Sequence, residues 1–434
     1  MKEVSRSFSM LVFCVAFYCG AAQLVAQGFP ATSARNITVT INPTFTSMGV
    51  GGNQQFSATV QGSANKSVQW EVNGVTGGNA QLGTIDSTGL YIAPVTVPTG
   101  AVTVSALAIA NKNVSASAPV SVLPSEPLGT VTTSSTIKCP MGGLSGATCY
   151  SLQVHCPGVT DFDTYVKVNK PVTTSLGTVI FGTGTGGANL YDLAFTYGSN
   201  VVQKILNAGF TTAQISFGVP FTTNTPNGWL TGPGGVRRLA CRYTTAAQWI
   251  YNNIHNHNTS APICATGNSG GAGAIAYALA QYGAAGVFSM VELTSGPPMA
   301  RLDYGCLCTQ GPQQTPCGQG QLSSCYASSE KEIIDSAYPT PLCSNATPAN
   351  SAQLLSDSVL APGSSATYSN TLVHVVFGGQ DNSAAVPQGL QWFDNLSSSK
   401  SGPVCVADAP HDIPDVLDGA MQIANDVISN CHLQ

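Results

Sequence analysis

The chain has 434 residues, enough for more than one domain, and only 8% of them are charged, giving a net charge of −5 at pH 7. With no basic cluster to offset that weak acidity, a nucleic-acid-binding surface is excluded, and neutral polar groups must keep the protein in solution. Fourteen cysteines in so weakly charged a chain point to an oxidising compartment.

At the N-terminus Lys2 and Arg6 precede an apolar stretch at 10–18 and small residues at 20–22. The stretch is too short for a comfortable membrane span, so 1–26 reads as a signal peptide cleaved somewhere in 20–27. Phe17 and Tyr18 are too bulky for a lipoprotein site before Cys19, which favours release. A secreted protein with no membrane span after cleavage is expected, with periplasm or cell surface as the other destinations. Loss of Cys14 and Cys19 leaves an even twelve cysteines, all between Cys139 and Cys431.

From 37 to 123 there is no cysteine, and short alternating runs at 38–41, 54–60, 68–72, 89–93, 102–106 and 118–122 are separated by Gly, Asn and Ser turns. Regular short strands of this kind predict an antiparallel sandwich, with Trp70 as the large core aromatic between its sheets. Residues 124–138, beginning at Pro124, are expected as a linker. The part from 139 to 434 changes character. Apolar runs at 178–181, 262–268, 287–293, 372–377 and 404–407 alternate with helix-like segments at 244–254, 272–283, 387–397 and the C-terminus. That alternation predicts a mostly parallel sheet with helices on both faces. Between 299 and 370 lies an irregular insert whose five cysteines, Cys306 to Cys343, are expected to staple it near the mouth of a site, as a lid or a substrate wall.

The run at 262–268 ends in Gly267-x-Ser269-x-Gly271 and passes at once into an Ala-rich helix. A strand that turns sharply into a helix lifts a serine hydroxyl clear of the sheet, so Ser269 is the candidate nucleophile. The base should follow it. His411, in a loop before the C-terminal helix, is preferred over His374, which sits mid-strand, and His432, which lies in the last three residues. Asp381, just past the strand at 372–377 and 30 residues before His411, is the candidate acid that orients the imidazole. The bland reading of Asp381 is a helix cap. Asp357 and Asp394 are the fallbacks. For the oxyanion hole, Gly270 follows the nucleophile, and Thr183 or Gly184 comes from the glycine-rich loop at 182–187.

That loop also matches G-x-G-x-x-G, but no Asp or Glu occurs from 193 to 291 to grip a ribose, and Asp192 comes too early. No dinucleotide cofactor is expected. Nor is a metal: Cys306-x-Cys308 lacks a second cysteine pair, and His255 and His257 stand at the carboxyl end of a helix-like run.

The order Ser269, Asp381, His411 after a glycine-rich loop resembles the α/β-hydrolase superfamily, in its secreted esterase and lipase-like branches, over about 139–434. The loop departs from the His-Gly-Gly-Gly form of many esterases, which leaves Thr183 less secure than Gly270. Residues 50–56, Trp70 and 83–91 resemble bacterial immunoglobulin-like repeats. The resemblances imply an immunoglobulin-like sandwich followed by a serine carboxylic-ester hydrolase acting through an acyl-enzyme on Ser269. The competing class is a cell-surface adhesion or polymer-binding protein with a hydrolase-like domain that has lost its chemistry. Among esters, carbohydrate-linked, lipid and polymeric substrates stay open, as does the oligomeric state.

Overall fold

The computed structural model describes residues 36–94, 96–123, 126–218, 228–368 and 370–434. The expected signal peptide, 1–26, lies outside the described residues.

Residues 36–123 form small, mostly antiparallel sheets. In the largest, Val102–Ala108 lies between Ser115–Leu123 and Val68–Val72. Its side chains alternate between buried and half-buried along the whole strand, as expected where one face covers a core. Phe56, Trp70, Val72, Tyr91 and Val104 fill that core, with the Phe56 and Trp70 ring centroids 6.4 Å apart. The run expected as one strand at 54–60 breaks at the fully buried Phe56. Asn53–Gln55 pairs with Leu90–Ile92, whereas Ser57–Gln61 pairs with Thr38–Asn42, so the chain changes sheets there.

The remainder is organised by one nine-stranded sheet. Its strands in chain order are β1 (Thr130–Ile137), β2 (Thr148–His155), β3 (Phe162–Asn169), β4 (Thr178–Gly182), β5 (Thr211–Phe217), β6 (Ile263–Asn268), β7 (Met290–Thr294), β8 (Leu372–Gly378) and β9 (Lys400–Val406). Their spatial order is 1-2-3-5-4-6-7-8-9; the pairs from β5 to β9 are parallel, and those joining β1, β2, β3 and β5 are antiparallel.

Residues alternate between two hydrophobic clusters across this sheet. Val179 and Phe181 of β4 join helices α1 (Gly198–Asn207) and α6 (Leu417–Asn430) on one face. Ile180 joins α2 (Cys241–Asn253), α3 (Gly270–Tyr282) and α5 (Ala385–Asn395) on the other. Strands covered on both faces read as unbroken apolar runs, which is why the central ones are plain in the sequence.

The linker expected at 124–138 is corrected in its second half. Thr130–Ile137 is the outermost strand, antiparallel to β2, and most of its side chains are exposed. A Thr- and Ser-rich edge strand with little to bury looks like linker by composition.

The twelve cysteines from Cys139 onward form six disulfides: Cys139–Cys149, Cys156–Cys241, Cys264–Cys431, Cys306–Cys343, Cys308–Cys325 and Cys317–Cys405. Cys264–Cys431 spans 167 residues and ties β6 to the end of α6. A closure of that length contributes about 5 kcal/mol in the chain-entropy picture. The insert is held by two internal bridges and by Cys317–Cys405, which fastens it to β9.

Candidate active site

β6 is buried along its whole length between β4 and β7, and it delivers Ser269 to the end of the sheet. Ser269 has φ 51° and ψ −114°, a left-handed conformation rarely held by a residue with a side chain. Two main-chain bonds hold it: Ser269 N–H donates to Thr294 O at 2.9 Å, and Gly273 N–H donates to Ser269 O at 2.9 Å. The turn also needs absent side chains. A Cβ on Gly270 would strike the Thr185 carbonyl oxygen, and one on Gly271 would lie 2.7 Å from the main chain of Gly182. The glycine-rich loop after β4 is thereby pressed against the first turn of α3.

His411 Nε2 lies 2.8 Å from Ser269 Oγ, and His411 Nδ1 lies 2.9 Å from Asp381 Oδ2. The structure therefore brings together the three residues singled out in the sequence. Their loops are pinned to one another: Gly379 N–H donates to Val406 O at 2.7 Å and Gln380 N–H to Ala409 O at 3.0 Å. Asp381 accepts a bond from Ser383 N–H at 2.9 Å. It makes no cap on α5, whose N-cap residue is Ala384. The Asp381 side chain is 1% exposed against 35% for His411, so the acid is walled in while the imidazole meets the cavity.

Burial alone would lower the His411 pKa, but the hydrogen bond and charge of Asp381, joined by the charges of Asp412 and Glu330, raise it above the ordinary imidazole value. Burial alone would raise Asp381. The hydrogen bond and charge of His411, with hydrogen bonds from Ser383, hold it below the usual carboxylate value instead. Each partner thus favours the charged form of the other.

Thr183, Gly184 and Gly270 border the same cavity as Ser269. Gly270 is the first residue of α3, so its N–H has no acceptor within the helix. Gly184 packs on the nucleophile, with its Cβ position 3.6 Å from Ser269 Cβ. The Thr183 hydroxyl is turned to Asn189 O at 3.1 Å, leaving only its main chain for an oxyanion.

The other histidines lie elsewhere. His374 Nδ1 faces Glu292 Oε2 at 3.0 Å inside the sheet, where burial pushes the Glu292 carboxyl up to about 7. His255 Nδ1 meets Thr178 Oγ1 at 3.0 Å beneath the end of α2, His257 follows that helix, and His432 is in the exposed tail. Of the fallback acids, Asp357 accepts a bond from Tyr338 Oη at 2.8 Å and Asp394 is exposed on α5; neither touches His411. Glu292, His374 and Asp426 are the one group among the described residues with metal-ligand spacing, their ligand atoms within 4.8 Å of one another. Gln422 Nε2 donates to Asp426 at 2.8 and 3.0 Å, so the set is already satisfied by hydrogen bonds.

Three residues escaped the sequence reading. Ser383 places its hydroxyl 3.1 Å from His411 Nδ1. Asp412 Oδ1 accepts from Asn268 Nδ2 at 2.8 Å, which links the His411 loop to the residue before the nucleophile. Glu330 comes from the insert, on α4 (Ser328–Asp335). Asp412 adjoins His411 in sequence, but nothing in the pattern ranked it; Glu330 depends on how the insert folds.

The cavity in front of Ser269 holds about 540 Å³. The insert forms its far wall with Met299, Tyr326, Ile333 and Ile334, and Pro298 just before it adds to that wall. Besides Cys317–Cys405, a bond from Gln319 Nε2 to Gly378 O at 2.6 Å fixes the insert to the end of β8.

No protein-family profile and no curated protein matches the sequence. Solved structures that align with it include dienelactone hydrolase from Anabaena variabilis, 14% identical with a TM-score of 0.39 over 66% of this chain and 99% of that one. Est1E from Butyrivibrio proteoclasticus is 10% identical, with a TM-score of 0.38 over 64% and 98% of the two chains. A bacterial heroin esterase is 14% identical, with a TM-score of 0.38 over 66% and 84%.

Proposed function

We propose that the protein is a secreted serine hydrolase that cleaves carboxylic esters through an acyl-enzyme on Ser269. The observation that carries this reading is the unbroken contact chain from Ser269 Oγ to His411 Nε2 at 2.8 Å and from His411 Nδ1 to Asp381 Oδ2 at 2.9 Å. Ser269 Oγ attacks the ester carbonyl while His411 takes its proton. The oxyanion receives the N–H of Gly270 and a main-chain N–H of Thr183 or Gly184. Collapse breaks the bond to the alcohol, which leaves with the proton held by His411. Water then attacks the acyl-enzyme with His411 again as base, restoring Ser269 and releasing the acid. Asp381 holds the imidazole orientation and stabilises the imidazolium. A protein that only adheres to a surface has no use for a serine held at φ 51° with its hydroxyl 2.8 Å from an imidazole, so the geometry favours the enzyme over the binder.

Secretion is supported by six disulfides and by the leader-like N-terminal sequence. Residues 37–123 are proposed as an immunoglobulin-like module that spaces or tethers the hydrolase. The purified protein is expected to hydrolyse a short soluble ester, and a chain lacking 27–123 should keep that turnover within about twofold, because the sandwich brings no group to the site. The cut must precede Thr130, since a deletion to 135 removes most of β1. A folded truncated protein inactive on the soluble ester would contradict this division of labour; inactivity of the full chain would contradict the hydrolase itself.

A further inference from the structure

The cavity at Ser269 is unbalanced in charge. Two carboxylates border it: Glu330 from the insert and Asp412 from the His411 loop. Among the described residues lining it there is no lysine or arginine. Neither Glu330 nor Asp412 forms an ion pair among the described residues. Each has one oxygen occupied: Glu330 Oε2 accepts from Ala327 N–H at 2.6 Å, and Asp412 Oδ1 accepts from Asn268 Nδ2 at 2.8 Å. The second oxygen of each has no hydrogen-bond partner among the described residues.

The one cationic partner facing these half-buried carboxylates is His411 when it is protonated; with His411 neutral they are costly to keep, and burial pushes both upward in pKa. An arriving cation removes that cost; an arriving anion adds to it. The apolar wall stands beside the acid for a simple reason. Ile333 and Ile334 follow Glu330 by three and four residues on α4, and residues so spaced share one helix face. Met299 and Leu230 extend that surface. A ligand reaching Ser269 therefore meets hydrocarbon with a carboxylate at its margin.

We propose that Glu330, backed by Asp412, makes this site selective for esters with an apolar body and a cationic ammonium group near the scissile bond. This rests on Ser269 being an ester nucleophile, and the test separates the two ideas. Two matched series are assayed at pH 8 and low salt. One varies the alcohol of a butyrate ester: choline, its neutral isostere 3,3-dimethylbutanol, and 3-hydroxypropanesulfonate. The other varies the acyl chain on one alcohol: 4-aminobutyrate against pentanoate.

In at least one series the cationic ester should exceed its neutral partner in kcat/KM by about tenfold, with the preference shrinking as salt rises. In the alcohol series the sulfonate should fall below the neutral ester. Glu330→Gln, which keeps an acceptor for Ala327 N–H, should cut the cation preference at least threefold or so. It should also move the pH midpoint of turnover downward, because a negative charge that supports the His411 imidazolium is gone. A readout that needs no variant is inhibition of neutral-ester turnover by butyltrimethylammonium, which should bind the native protein at least about tenfold tighter than an uncharged alkyl analogue. Good turnover of neutral esters with no cation preference in either series, or with a preference unchanged in Glu330→Gln, overturns the specificity and leaves the hydrolase standing. Cationic and neutral esters both left untouched, or cleaved equally well by Ser269→Ala, overturn the underlying reading and the specificity with it.

Discussion

Replacing Ser269 by Ala is expected to lower ester turnover by about 10⁴- to 10⁶-fold while the protein stays folded, the range seen when the nucleophile of such a set is removed. The size follows from what the hydroxyl does. On the proposed mechanism no acyl-enzyme forms without Oγ, and His411 and Asp381 have nothing to activate; what remains is the binding energy of the cavity and its main-chain donors. Stability should change little. The side chain contributes one hydrogen bond, to His411 Nε2, and the strained turn is held by main-chain bonds to Thr294 and Gly273 that Ala retains. Rates with a soluble ester and a thermal melt of the same preparations check both halves. A folded variant keeping roughly a tenth of native turnover would remove Ser269 from the chemistry.

The second large effect concerns the base. His255, His257, His374 and His411 are each replaced by Gln, and turnover is followed against pH. The His411 variant alone should lose nearly all activity, by about 10⁴-fold or more, together with the rise of turnover with pH. The sign follows from the geometry. A base must be neutral, so with His411 in that proposed role turnover should climb as it loses its proton. Because Asp381, Asp412 and Glu330 raise its pKa, the midpoint should lie above the ordinary 6.5. Asp381→Asn should cost activity and also shift the midpoint of what remains to lower pH, since the charge that favours the imidazolium is gone. His374→Gln is expected to act through stability, because it leaves Glu292 buried without its partner. A His374 variant that lost the pH-dependent rise would transfer the role of base away from His411.

The legible parts of this chain are those where local chemistry and global position coincide. β6, the turn at Ser269 and the Ala-rich α3 were readable because a buried parallel strand is continuously apolar and a tight strand-to-helix turn demands glycine on both sides. His411 and Asp381 could be ranked because each follows a short apolar run that ends at one edge of the sheet. β1 to β3 were harder. They are antiparallel and at the sheet's margin, and the Thr-rich β1 is exposed enough to pass for linker. The alternating pattern places Phe56 inside one strand, although it is the point where the chain leaves one sheet for another. Nothing local marks such a crossing.

The insert was the least legible part. Its short helices take their places through three disulfides, and pairing cannot be read from spacing. Glu330 inherits that difficulty. It reads as the N3 acid of a capping pair with Ala327 N–H, and only the folded insert brings it to the cavity at Ser269.

The central claim is that Ser269 is a nucleophile activated by His411, and covalent labelling tests it most directly. The native protein is treated with a fluorophosphonate probe and the modified peptide identified by mass spectrometry. One label per chain on Ser269 is expected, abolished by Ser269→Ala and slowed strongly by His411→Gln. A folded native protein that takes up no probe, or takes it up at another residue, would contradict the account.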